Sequence, residues 1–451
     1  MEQRQRQTID PAEEAARCHR RALEMEKEAA GIRFQAEDDE PRMENLMHHV
    51  NVQTLKAEHQ KQSRKKATGI DGITKDDYDA NIDENLESLV ERMKRFSYRP
   101  MAVRRTYIPK ANGKLRPLGI PAYEDKLVQG AMAGLLDEVY EVRFLDCSYG
   151  FRKGKSCHDV VRYINQTVMT KKVGYVLEAD IKGFFDNVNH EWLMRFLELD
   201  IADRRFLRYV KRFLRAGIME DGAYLETDRG TPQGGLISPV LANVYLHYVL
   251  DTWFEKEIKP RLHGEAYYVR YADDFLIMFQ YENDAKAVMN VISKRLGRFS
   301  LEVAMEKTRI LPFGRYKGTK DEFDFLGFTF FNTTTRNGKY RVGVRTSKKK
   351  LKAKKQAAKA WLRKQLTKPI ATTMETLAAV VRGHCNYYGV SGNYIQIMKF
   401  WKYLKYETYH MLNRRDQKGK LRYPKFLRIW NYYIEEPQLK VDIWGWQPKI
   451  V

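Results

Sequence analysis

Two adjacent carboxylates, Asp273 and Asp274, sit between two strand-like runs, Tyr267–Arg270 and Phe275–Phe279. Side-by-side charges in such a setting are costly unless something positive rests on them. The economical solution is a hairpin whose tip carries both aspartates forward on a fixed backbone. A third carboxylate, Asp180, ends the apolar strand predicted over Tyr175–Ile181, 93 positions upstream. If these strands are neighbours in one sheet, three carboxylates converge at its end. A lone Asp-Asp pair is ordinarily only a turn. The apolar hairpin and the strand-end Asp180 favour a cation site instead. Hard carboxylate oxygens suit Mg²⁺, with Mn²⁺ able to substitute. Two such ions about 4 Å apart activate a 3′-hydroxyl and stabilise a leaving pyrophosphate.

The charge balance points to the substrate class. The 451 residues carry a net charge of +22, with a pI near 9.5. That excess attracts polyanions, nucleic acid first among them. It is unevenly spread, because residues 1–40 hold 11 acids and 7 bases, leaving +26 for residues 41–451. A hydrophobic fraction of 43% is ample for two or three cored domains and excludes a disordered chain. The four cysteines form no C-x-x-C pair, so a zinc finger and a disulfide framework are not expected. No run of 18 apolar residues and no secretory signal is visible, so a cytoplasmic, nucleic-acid-associated protein without a membrane span is expected.

Along the chain, a charged helix is predicted over Pro11–Phe34, within an N-terminal extension of residues 1–42. A polar helix spans about 43–64 and runs into a loop at Gly69-Ile70-Asp71-Gly72, with Thr74 as a helix cap. Asn112-Gly113 marks the turn of a hairpin over 104–121. Short strands then alternate with helices, including a long apolar helix over Ile237–Phe254. Basic, strand-poor helices follow from about 345.

These motifs resemble the reverse transcriptase/maturase family encoded by bacterial group II introns. Tyr271-Ala272-Asp273-Asp274 looks like its catalytic hairpin. Ala179-Asp180-Ile181 with Phe184-Phe185-Asp186 resembles its first metal motif, with Asp180 and Ile181 as metal-contact positions. Gly230-Thr231-Pro232-Gln233-Gly234-Gly235 and the following Leu241-Ala242-Asn243 lie between them, in the family's order. Ile108-Pro109-Lys110 and Arg116-Pro117-Leu118-Gly119 resemble the fingers hairpin, and Ser148-Tyr149-Gly150-Phe151-Arg152 a further element. Val381-Arg382-Gly383-His384-Cys385-Asn386-Tyr387-Tyr388-Gly389 resembles the maturase, or thumb, segment. The resemblance covers about residues 43–451. It implies an α+β right-hand polymerase fold. N-terminal segment and fingers would span 43–170, an antiparallel palm sheet with the aspartates 171–335, and an α-helical thumb/maturase domain 336–451.

By that resemblance Asp180, Asp273 and Asp274 are catalytic, and Phe185 gates the sugar by colliding with a ribose 2′-hydroxyl. Lys110 and Arg116 bind the triphosphate, Gln233 contacts the incoming nucleotide, Asn243 supports its loop, and Lys307 lies near the leaving phosphate. Expected nucleic-acid contacts are Arg104, Arg105, Arg152 and the lysines 348, 349, 350, 352, 354 and 355. Residues 345–368 hold 11 Lys or Arg and no acid, which suits a surface tracking an RNA–DNA duplex or structured intron RNA. Trp361, Tyr387, Tyr388, Trp401 and Tyr403 are read mainly as core. The zinc-containing nuclease of longer family members is not expected here, so priming would rely on existing nicks or replication forks.

Three functions fit. The first is an intron-encoded reverse transcriptase that uses dNTPs and also assists splicing and mobility. The second is an RNA-binding splicing cofactor with secondary polymerase activity. The third is a free-standing reverse transcriptase in antiphage defence or repair. The maturase-like segment favours the first, and the intact aspartates argue against a dead polymerase.

Overall fold

The computed structural model describes residues 42–109, 115–231, 234–318, 320–415 and 421–445. The expected helix over Pro11–Phe34, and Lys110 and Gln233, lie outside the described residues. The chain forms mixed α/β structure with largely antiparallel sheets and a helical C-terminal part. It divides into two compact units, one of residues 1–156 and 177–310, the other of 157–176 and 311–451. No helix among the described residues is long and apolar enough to cross a membrane.

The strands are β1 (Val103–Pro109), β2 (Leu115–Ile120), β3 (Tyr175–Asp180), β4 (Ile218–Glu220), β5 (Ala223–Leu225), β6 (Ala266–Tyr271), β7 (Asp274–Phe279), β8 (Arg309–Pro312), β9 (Glu322–Phe325), β10 (Phe328–Thr334) and β11 (Tyr340–Thr346). The expected hairpin is β1–β2, antiparallel from Arg104 opposite Ile120 to Pro109 opposite Leu115. It extends into a sheet ordered β2-β1-β4-β5. The sheet that matters for the carboxylates runs β6-β7-β3-β8. β6 and β7 pair from Ala266–Phe279 to Tyr271–Asp274, which leaves Ala272 and Asp273 as the two-residue loop. β7 and β3 are neighbours, so Asp180 and the hairpin tip meet at one edge, as the sequence pattern requires. Val269, Phe275, Leu276, Val176 and Leu177 are almost wholly buried, which explains why these strands read as apolar.

The long apolar helix begins at Ser238 and runs as α-helix to Leu246. It continues in wider π-type turns over His247–Asp251 and Trp253–Ile258. The N-terminal loop is pinned to the next helix, because Asp71 accepts from the Tyr123 backbone N–H at 2.7 Å and so caps the helix Tyr123–Glu141. Thr74 and Asp77 form the expected cap with reciprocal hydrogen bonds.

In the second unit, four helices (Lys348–Arg363, Ile370–Tyr388, Tyr394–Asn413 and Tyr423–Tyr433) surround a core that includes Leu362, Met374, Leu377, Phe400, Leu404, Phe426 and Trp430. Trp361, Tyr388 and Trp401 pack against it, the use expected for most of the aromatics. His384 is buried between the rings of Tyr388 and Phe400, at 4.9 and 4.2 Å. Neither of its nitrogens has a hydrogen-bond partner among the described residues. Burial, with nearby Lys354 adding to it, lowers its pKa to about 3. An imidazole that refuses a proton when folded but accepts one when unfolded leaves stability intact above its ordinary pKa. Stability falls as pH drops below about 6.5, by about 1.4 kcal/mol per pH unit. His384→Leu should therefore lose about 2 kcal/mol less than the parent between pH 7 and pH 5 in urea unfolding. Equal losses would mean that His384 meets water in the folded state.

Candidate active site

Asp180 ends β3, Asp273 sits in the hairpin loop and Asp274 opens β7. Their mutual effect is visible in their protonation. Asp273 is raised above the ordinary carboxylate range, first by burial and then by the Asp180 charge. Asp274 is pushed up to about 7, first by loss of water on its enclosed side, then by Asp273 and Asp180. Among the described residues no three His, Cys, Asp or Glu side chains close on a single point. Each of the hairpin carboxylates nonetheless feels the Asp180 charge, and cations act on the same groups. Lys307 is ion-paired with Asp180. Arg116 is near enough to lower the Asp273 pKa, as is Lys307. Glu178 is held by Arg309 at 3.0 Å. A cluster of hard oxygens that raises its own proton affinity and already draws an ammonium ion is chemically fitted to a divalent cation.

The hairpin loop is strained. Ala272 has φ 57°, a left-handed conformation that glycine takes without cost. What holds it is a side chain that sequence reasoning missed. Arg270 is fully buried and forms a two-pronged ion pair with Asp251 at 2.7 and 2.6 Å. It also donates to the Asn243 side chain (2.9 Å), the Ser148 hydroxyl (2.7 Å) and the Ala272 carbonyl (3.0 Å). Asn243 in turn donates to the Gly150 carbonyl at 2.7 Å. Among the described residues it therefore supports the segment beside the hairpin, whereas it was read as support for the preceding glycine-rich loop. Gly150 has no room for a side chain, since a Cβ there would lie 2.3 Å from the Ala272 nitrogen. The signal for Arg270 was present: a charge inside a buried strand needs a partner, and Asp251 is a charge inside an apolar helix.

Phe184 and Phe185 lie on a short helical turn, Phe184–Asn187. Phe184 is buried, while Phe185 is half-buried and lines a cleft of about 410 Å³ with Tyr107, Asp186 and Thr231. Ile181 bridges to Val303, and its side chain is buried. Gly234, at φ 113°, abuts the Gly119 carbonyl of β2, which brings the glycine-rich loop against the hairpin arm that carries Arg116.

Several expected nucleic-acid contacts have other work. Arg152 is buried, paired with Glu141 at 2.9 Å and donating to the Leu145 and Ser148 carbonyls, so it braces its own loop and is not available to a phosphate. Arg104 donates twice to the Thr68 carbonyl, at 3.1 and 2.6 Å. Arg105 keeps its Nε without a partner among the described residues and lines the Phe185 cleft. In the second unit, Lys354 and Lys355 lean on aromatic rings, Lys354 over Phe400 at 5.4 Å and Lys355 over Tyr403 at 5.0 Å. Burial lowers the Lys354 pKa. Lys348 lies 3.6 Å from Glu322, and Lys348, Lys349, Lys350 and Lys352 are exposed.

The model for reverse transcriptase (RNA-dependent DNA polymerase) matches residues 108–330, which contain all three aspartates. The YkfC protein of Escherichia coli K12 is 33% identical over 307 residues, 61% of this chain and 78% of that protein. The chain belongs to the reverse transcriptase family. Group II intron-encoded protein LtrA of Lactococcus lactis is 34% identical over 283 residues, 58% of this chain. The matched region is 46% of LtrA, so this reverse transcriptase spans about half the length of that relative. A putative COX1/OXI3 intron 1 protein of Saccharomyces cerevisiae is 28% identical over 341 residues, 65% of this chain and 39% of that protein.

In this family member the hairpin support can be tested apart from the carboxylates. Arg270→Leu should cost about 3–5 kcal/mol in urea unfolding, because it strands the Asp251 charge in the interior. Adding Asp251→Leu should recover most of that stability. Primer extension should stay low in the double variant, since nothing then holds the Ala272 carbonyl. Wild-type extension by the double variant would separate the network from hairpin geometry.

Proposed function

We propose that this reverse transcriptase extends a DNA primer on an RNA template, using dNTPs and two Mg²⁺ ions held by Asp180, Asp273 and Asp274. The observation that carries the reading is the meeting of these three carboxylates at one sheet edge, with Arg116 and Lys307 beside them. When bound, the ions would supply Lewis acidity to the 3′-hydroxyl and charge neutralisation to the phosphates. The Ile181 backbone carbonyl is assigned to the same site. Arg116, with Lys110, binds and orients the triphosphate. Phe185 presents a half-open ring where the sugar lies and excludes a ribose 2′-hydroxyl. Gln233 contacts the incoming nucleotide, and Lys307 serves the leaving phosphate.

The carboxylate sheet is assigned as palm, the β1–β2 sheet as fingers and the C-terminal helices as thumb. Names of relatives such as LtrA support an association with intron RNA, and assisted splicing is part of this proposal. The exposed lysines 348, 349, 350 and 352 are the best-placed candidates for that RNA surface.

Asp180→Ala or Asp273→Ala should lower primer extension by about three orders of magnitude without lowering the melting temperature. Retained activity in Asp273→Ala removes the metal assignment. Phe185→Val should reduce the dNTP-over-rNTP preference by about tenfold or more. An unchanged ratio places the gate elsewhere.

Neutralising Lys348, Lys349, Lys350 and Lys352 together should weaken RNA binding and flatten its salt dependence, by up to about 0.7–0.9 in log–log slope per lost phosphate contact. Short extensions at high enzyme concentration should persist. An unchanged slope would make this helix a merely solvated face.

A further inference from the structure

We propose that Lys307 is a displaceable counter-ion of the carboxylate cluster, holding Asp180 in the metal-free enzyme and releasing it when a divalent cation arrives with nucleotide. This deepens the metal reading above and rests on it.

The two partners of the ion pair differ in freedom. The Asp180 side chain is only 15% exposed, while that of Lys307 is 62% exposed. Asp180 is fixed by backbone on both sides. Its carbonyl accepts from the Ala304 N–H at 2.8 Å, Ile181 bridges to Val303, and the Lys182 N–H donates to the Glu302 carbonyl at 2.8 Å. Lys307 ends a single helical turn, Met305–Lys307, with no buried residue. If the pair opens, the lysine is the member that moves.

The charges around the pair explain both why it forms and why it yields. Among the described residues, the acids acting on this cluster are Asp273, Asp274, Glu178 and Glu306, and the cations are Arg116 and Arg309. Arg309 is occupied by Glu178, and Arg116 acts on Asp273, so among the described residues Lys307 is the cation in direct contact with Asp180. A lysine amine is an ammonium ion at neutral pH without any help from its surroundings. An ammonium and a divalent cation on the same carboxylate repel each other at close range. Metal therefore enters against Lys307. A nucleotide changes that competition, because its triphosphate offers the released ammonium a new anionic partner. Metal alone binds against the lysine, whereas metal and triphosphate together bind with its help, which couples their affinities.

The test uses Mn²⁺ as probe, with the full chain and with no nucleic acid or nucleotide present. Electron paramagnetic resonance of free Mn²⁺ reads the affinity. Lys307→Met should bind Mn²⁺ about five- to tenfold more tightly than the parent, and Lys307→Gln likewise. Lys307→Arg, which keeps the charge, should stay near the parent value. Asp180→Asn introduced into Lys307→Met should abolish the gain. Unchanged or weaker Mn²⁺ binding in both Lys307→Met and Lys307→Gln, with binding still sensitive to Asp180→Asn, overturns the counter-ion role and leaves the metal reading standing. Absence of Mn²⁺ binding in the parent and in every variant overturns both.

Discussion

The buried pair between Arg270 and Asp251 is the constraint on which the reactive hairpin depends. Removing two charges from water is expensive, and the cost is offset only if every donor and acceptor finds a partner. Arg270 meets that condition by reaching Asp251, Asn243, Ser148 and the Ala272 carbonyl at once. One guanidinium thus ties a helix, a strand, a loop and the strained turn into a single unit. The π-type turns that carry Asp251 widen the helix where this partner is presented. Such widening is common where a helix serves a functional site.

The cluster beyond the turn has the opposite character. Asp273 and Asp274 lie where burial and neighbouring negative charge make ionisation unfavourable. Nothing in the fold's own stability asks for them. The rigid network behind the hairpin and the frustrated charges in front of it are complementary, because the first is what allows the second to persist. Lys307 gives partial relief from a turn that has little packing of its own.

Much of this was legible from residue order. The Asp-Asp tip, the strand-end Asp180, the pairing of β1 with β2 and the Thr74 cap follow from periodicity and turn chemistry. Basic side chains were harder to read. Charge alone cannot tell whether a guanidinium faces a phosphate or a carbonyl of its own chain, and Arg152 and Arg104 do the latter. Lys354 shows the same ambiguity, since its methylene stem and ammonium suit an aromatic surface as well as a polyanion. Arg270 was passed over because a strand motif draws attention to its tip and away from its root.

The near-contact of Gly150 with the Ala272 backbone bears on how such polymerases can be recombined. The segments that meet there are 122 residues apart along the chain, measured from Ser148 to Arg270. A graft of the Tyr271–Asp274 hairpin into another scaffold would carry the carboxylates without the surface that shapes them. Chimaeras should therefore be cut so that Ser148–Gly150, Asn243, Asp251 and the hairpin come from one parent. Homologous exchange that splits the set would leave the hairpin turn without the partners that hold it.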